Sequence, residues 1–167
     1  YDLGEVGVRD IIASEKDIAD NWSRGIVPRD FPLLKSKGTQ ASVKQRRKDA
    51  YAVRLTVPAS MDVNYGWPGL TLVQPAITDW SGYSHLALII GNPTNAPVEI
   101  AVKVIDQDRD DWYRYFTIRA HKRTAIRIPM NDLMQKINPS KIFGVGFNRR
   151  NVKTKQLFDV SDLYLIK

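Results

Sequence analysis

Short runs of alternating apolar and polar residues, each closed by a cluster of turn formers, constrain this chain more than any other feature. Tyr51-Ala-Val-Arg-Leu-Thr-Val57 sets Tyr51, Val53, Leu55 and Val57 on one side. Successive side chains of a strand leave opposite faces, so this pattern predicts a half-buried strand. Leu86–Ile90 is apolar at every position and predicts a central strand. Glu99–Ile105 turns Ile100, Val102 and Val104 inward, and Trp112–Ile118, Ala125–Ile128, Phe143–Phe147 and Asp162–Ile166 complete the series. The breaks, such as Gly91-Asn-Pro-Thr-Asn-Ala-Pro97 and Asn138-Pro-Ser140, hold the residues that turns require. Helical signals are confined to Glu15–Trp22, opened by Ser14, and Met130–Lys136, opened by Asn131. Many short strands without long alternating helices predict an all-β antiparallel β-sandwich, a jelly roll with one or two short helical turns. Between them, Lys35–Lys48 reads as a mobile basic loop with room for a short strand at Ala41–Lys44.

The 167 residues predict a single domain. A chain of that size buries roughly two thirds of its unfolded surface and needs no covalent staple. Cysteine is absent, which excludes a disulfide framework, a thiol nucleophile and cysteine-bound zinc. No apolar run nears the ~18 residues of a membrane span. The chain begins at Tyr1 rather than methionine, which predicts a domain excised from a larger protein. Its net charge of +7 favours polyanionic partners: nucleic acid, anionic lipid or acidic polysaccharide.

The densest chemistry lies in Asp106–Phe116, where four aspartates run into Trp112-Tyr-Arg-Tyr-Phe116. Strand alternation sends Trp112, Arg114 and Phe116 one way and Tyr113 and Tyr115 the other. Phe116 and Ile118 read as buried, so Arg114 is expected beside Trp112, paired to the aspartate loop. Tyr113 and Tyr115 are then the exposed pair, suited to stacking on a sugar ring, with Trp112 and Arg114 at their edge. Gly144 and Gly146 share a face with Asn148 and Arg150 and predict a flat floor ending in polar and cationic groups, with Arg149 on the other side. Arg54 and Lys103 stand on the non-core faces of their strands and add positive charge, while Trp67 sits in the loop Tyr65–Gly69. Trp80 and Tyr83 read as packing at a corner. The spacing Asp106-x-Asp108-x-Asp110 opens like a calcium loop, but position 111 is aspartate and position 117 is threonine, so a polar hairpin turn is expected instead.

The order of these segments is similar to that of a known family. Ala13-Ser-Glu-Lys-Asp17 and Trp22 are followed by Tyr51–Leu55, Trp67-Pro-Gly-Leu70, Asp79-Trp-Ser-Gly-Tyr83, the aromatic–arginine strand, Ile126-Arg-Ile-Pro-Met130, Ile142–Val145 and Ser161-Asp-Leu163. From about Ile11 to Leu165 the chain resembles the jelly-roll carbohydrate-binding modules attached to bacterial polysaccharide-degrading enzymes and envelope proteins. The resemblance implies a non-catalytic, monomeric, extracytoplasmic module that holds a catalytic or envelope domain on a polysaccharide. The positive charge makes an acidic glycan, a uronate or a sulfated polymer, the expected ligand. It also implies one structural Ca²⁺, with Glu15 and Asp162 as carboxylate ligands and backbone carbonyls from the Lys37–Gln40 loop. Calcium takes six to eight oxygen ligands, and here Ser14-Glu15 and Ser161-Asp162 replace the family's usual Phe-Glu and paired aspartates.

Three other functions leave weaker marks. A polysaccharide lyase or hydrolase needs an acid and a base in one cleft, and His85 and His121 carry no nucleophile or metal-ligand spacing. Nucleic-acid binding fits basic charge with strand aromatics, but the aspartate cluster would repel phosphate. A protein-interaction or assembly role uses the same sandwich without a sugar.

Overall fold

The computed structural model describes residues 9–11, 33–35, 39–47, 50–59, 69–73, 75, 77–149 and 153–167. Eleven described strands form two antiparallel sheets. The first sheet contains β1 (Arg9–Ile11), β3 (Gln40–Arg47), β4 (Ala50–Val57), β6 (His85–Gly91), β9 (Arg123–Pro129) and β11 (Gln156–Ile166). Its order is β3-β4-β11-β6-β9, with β1 also paired to β11. The second contains β2 (Leu33–Lys35), β5 (Gly69–Val73), β7 (Val98–Asp106), β8 (Asp111–Ile118) and β10 (Ile142–Asn148). It runs β2-β5-β10-β7-β8, so β8 is an edge among the described strands.

The alternation read in the sequence is the inner lining of this sandwich. Val53, Leu55, Val57, Leu86, Leu88, Ile90, Ile126, Ile128, Phe158 and Val160 of the first sheet meet Leu70, Leu72, Ile100, Val102, Val104, Val145 and Phe147 of the second. Burying each large apolar side chain contributes about 1.5–3 kcal/mol. Trp80 is fully buried in this core, and its indole Nε1 donates to the Ile77 carbonyl at 2.7 Å. β11 keeps its core face through a bulge. Phe158 and Val160 face inward at even positions, then Leu163 and Leu165 at odd ones, and the pairing with β6 slips by one residue between Ser161 and Tyr164.

Two expectations are corrected. The supposed basic loop at Lys35–Lys48 holds the eight-residue strand β3, paired to β4 along Gln40–Arg47. Its cations masked a strand in which Ala41 packs against the core while Ser42 pairs with the outer position Arg54. The helix α1 spans Met130–Met134 and is preceded by Pro129 rather than capped by Asn131, with no side-chain cap bond. The other helical expectation, Glu15–Trp22, lies outside the described residues.

The glycines of β10 are sites of close approach within the protein. A Cβ at Gly144 would stand 2.6 Å from the Leu72 carbonyl oxygen, and one at Gly146 would meet Asn148 Oδ1 at 2.7 Å and Thr71 Oγ1 at 3.1 Å. The flat open floor expected from Phe143-Gly-Val-Gly-Phe147 is therefore filled: Gly144, Gly146 and Asn148 are all buried. Gly144→Ala must push β5 away from β10. It should lower unfolding free energy by about 1–3 kcal/mol, seen as a lower denaturant midpoint at unchanged slope.

Candidate functional site

Edge strand β8 places its side chains as the alternation requires. On the inner side Trp112 is 7% exposed and Ile118 fully buried, with Phe116 packed against the core. On the outer side Tyr113 is 48% exposed, one of two large apolar residues in the open among the described residues. Tyr115 stands edge-on to it, with ring centroids 6.0 Å apart and planes at 80°. Arg114 follows Trp112 on the inner side, yet its side chain is 48% exposed, and its guanidinium carbon sits 5.4 Å over the Trp112 ring.

The partner of Arg114 differs from expectation. Its Nη2 donates to Asp132 Oδ2 of α1 at 2.8 Å, not to the aspartate loop. That loop is committed to its own turn. Asp106 is fully buried, and its Oδ1 accepts from the backbone N–H of Asp108 and Asp110, its Oδ2 from that of Asn138. Arg109 turns the chain with φ of 73° and lies 4.4 Å over the Phe143 ring. The aspartate run is thus a hairpin turn, as read from its failed calcium-loop spacing.

Between β8 and α1 lies an open cleft of about 490 Å³, lined by Asp111, Trp112, Tyr113, Arg114, Asp132, Gln135 and Lys136. It offers an aromatic face, a guanidinium–carboxylate pair, a carboxamide and an ammonium group. Planar donors and acceptors beside an exposed ring can hold the hydroxyls and apolar face of a sugar. Sequence reasoning missed Asp132, Gln135 and Lys136. Their helical segment was legible, but nothing local brings residue 132 to residue 114.

The remaining candidates scatter. Lys103 pairs across β7 and β8 with Tyr113 and makes an ion pair with Asp111. Asn148 lies on the same outer face but is buried, as described for the glycines. Arg54 is on the other sheet, where Nε and Nη2 grip Asp159 Oδ1 and Oδ2 at 2.7 and 2.9 Å. The hydrogen bond to Asp159 holds that guanidinium even more firmly protonated than usual. Arg149 is half-buried, and desolvation lowers its pKa while Glu99 opposes the change. Trp67, Arg150 and Glu15 lie outside the described residues. Asp162 lies at the β11 bulge. Among the described residues no group of three or more histidine or acidic side chains converges, and the loop residues 37 and 38 expected to lend carbonyls lie, like Glu15, outside them. His85 Nδ1 lies 2.9 Å from Ser84 Oγ, and His121 Nε2 lies 2.7 Å from Asn95 Oδ1.

One titration in the corner before β6 is open to test. The Asp79 carboxylate accepts from the Ser81 hydroxyl at 2.7 Å and its backbone N–H at 3.0 Å, and these bonds hold its pKa below the usual value. A depressed carboxyl stabilises the fold above its unfolded pKa, and that contribution is lost as pH falls through the folded value. The difference in melting temperature between the protein and Asp79→Ala should therefore be present at neutral pH and narrow as pH falls below about 4.

No family model matches the chain, and no curated protein matches it. Solved structures do. The family 11 carbohydrate-binding module of the cellulosomal cellulase Lic26A-Cel5E of Clostridium thermocellum superposes with a TM-score of 0.64 at 14% identity, covering 97% of this chain and 96% of that one. A family 11 module from the same organism, in complex with a β-1,3-1,4-mixed-linked tetrasaccharide, gives 0.63 at 17% identity and covers 83% of this chain and 89% of that one. An exo-β-agarase gives 0.66 at 13% identity; the match covers 86% of this chain but only 24% of the agarase. The chain has the β-sandwich fold shared by these modules. Among the described residues no helix is long and apolar enough to cross a membrane.

Proposed function

We propose that the chain is a non-catalytic carbohydrate-binding module that holds a larger extracytoplasmic enzyme or envelope protein on a polysaccharide, acting as a monomer. The observation that carries the reading is the β8 edge. Tyr113 is exposed there beside a cleft in which Arg114, Asp132, Gln135 and Lys136 offer donors and acceptors. A pyranose ring can stack its axial C–H face on Tyr113 while its hydroxyls meet the charged and carboxamide groups. The fold agrees with this role. Structures sharing it and covered nearly end to end are modules of this kind, one of them with an oligosaccharide bound.

Charge in the cleft is nearly balanced, since Asp111 and Asp132 face Arg114 and Lys136. This site therefore selects mainly through stacking and hydroxyl bonding, and an acidic preference must draw on charge elsewhere. Electrophoresis in native gels cast with single polysaccharides tests the proposal. Retardation by a neutral polymer that persists at high salt supports it. Migration unchanged by every polysaccharide would move the assignment to a protein-interaction domain.

A further inference from the structure

We infer that the outer face of the six-stranded sheet, on the opposite side of the sandwich from Tyr113, is a second binding surface, specific for a polysaccharide bearing carboxylate or sulfate groups. The two outer faces differ sharply in charge. On the first sheet, register places Arg54, Arg123 and Arg127 on the outer face with Asp159. On the second sheet, the described outer strand positions carry Lys103 against Glu99 and Asp111. The described outer positions of the first sheet are thus net positive and those of the second net negative.

The middle of that face is built rather than merely basic. Ser42, Arg54, Asp159, Gly91 and Arg123 lie in one row across five strands. Arg54 reaches β11 from one side and holds Asp159 with two hydrogen bonds. Arg123 reaches β11 from the other, crossing Gly91, where an added Cβ would stand 3.3 Å from Arg123 Cγ. Its Nη2 donates to Ser161 Oγ at 3.1 Å, so both guanidinium groups close on β11 at residues two apart. Beside Arg54 an open polar cleft of about 350 Å³ is lined by Thr39, Gln40, Ser42 and Thr56. With neighbouring strands about 4.8 Å apart, the backbones of Arg54 and Arg123 stand roughly 14 Å from each other.

This arrangement fits a sparsely charged sugar chain better than a nucleic acid. Asp159 at the centre of the row repels a densely phosphorylated strand, yet accepts hydrogen bonds from sugar hydroxyls. The flanking cations meet carboxylates or sulfates that recur once or twice per repeat. The β8 cleft and this face would then contribute separately, one through stacking and one through charge.

Affinity electrophoresis in polygalacturonate, dextran sulfate and neutral mixed-linkage β-glucan separates the two, with duplex DNA as competitor. At low salt, Arg123→Glu with Arg127→Glu should weaken binding to the two acidic polymers about tenfold or more and leave β-glucan binding unchanged. Tyr113→Ala with Tyr115→Ala should weaken β-glucan binding about tenfold or more and keep most of the salt-sensitive binding. Arg127→Glu alone, at an exposed position, should give a smaller loss in the same direction and guards against misfolding of the double variant. Unchanged acidic-polymer binding in both glutamate variants overturns the inference. So does DNA that competes as well as polygalacturonate at equal charge, which would mark the face as a general polyanion surface. Failure of the β8 reading shows independently, as β-glucan binding that the tyrosine variants do not alter.

Discussion

Asp106→Ala is expected to lower the unfolding free energy by about 3–5 kcal/mol, although the residue lies in a surface turn. Asp106 is the most fully buried charged residue described, and its carboxylate is the common acceptor for three backbone N–H groups. Two of these, from Asp108 and Asp110, close the β7–β8 hairpin. The third, from Asn138 at 2.7 Å, ties that hairpin to the turn Pro139–Lys141 that leads into β10. Hydrogen bonds to a charged acceptor are each worth about 1.5–3 kcal/mol, and water can reach part of the turn once the carboxylate is gone. The net loss therefore falls below the sum. At roughly 2–4 °C per kcal/mol for a chain of this length, the melting temperature should drop by about 6–20 °C. Asp108→Ala is the control. It removes only the exposed pair of Asp108 with Lys141 and should cost no more than about 1 kcal/mol. Equal melting temperatures for the protein and Asp106→Ala would refute the role given to this carboxylate.

The second large effect concerns binding. Tyr113→Ala with Tyr115→Ala should reduce affinity for a retained neutral polysaccharide by roughly ten- to a hundredfold, from about 1.4–3 kcal/mol of lost ring contact. Stability should change little, since Tyr113 is 48% exposed and the pair stands on the outer face of an edge strand. Arg114→Ala should act in the same direction by opening the cleft and leaving Asp132 without its 2.8 Å partner. Isothermal titration with an oligosaccharide of the retained polymer, beside a thermal melt of each variant, separates the two readouts. Tyrosine variants that melt early and bind normally would reverse the assignment and make the pair structural.

Local pattern carried the fold a long way. Val53, Leu55 and Val57 face the core because side chains alternate along any strand, and the opposed directions of Tyr113 and Arg114 follow from the same rule. Strands with weak or interrupted alternation stayed hidden. β5 begins at Gly69, where only glycine allows the Phe147 carbonyl its close approach, and β3 carries three cations in eight residues. The site was legible as residue types and not as a place. Arg54 and Lys103 looked alike as outward cations, but the topology puts them on opposite sheets.

What the sequence determined by itself was therefore the class of fold, the faces of its clear strands and the exposure of Tyr113, because each depends on the two-residue period of a single strand. Partnership was decided only by tertiary structure. Arg114 meets Asp132, Arg54 meets Asp159, and Asn148 folds over the Gly146 position that looked like open floor. These contacts depend on which strands lie side by side, how β8 sits against α1 and where a bulge shifts the register, and none of that is encoded in spacing along one strand.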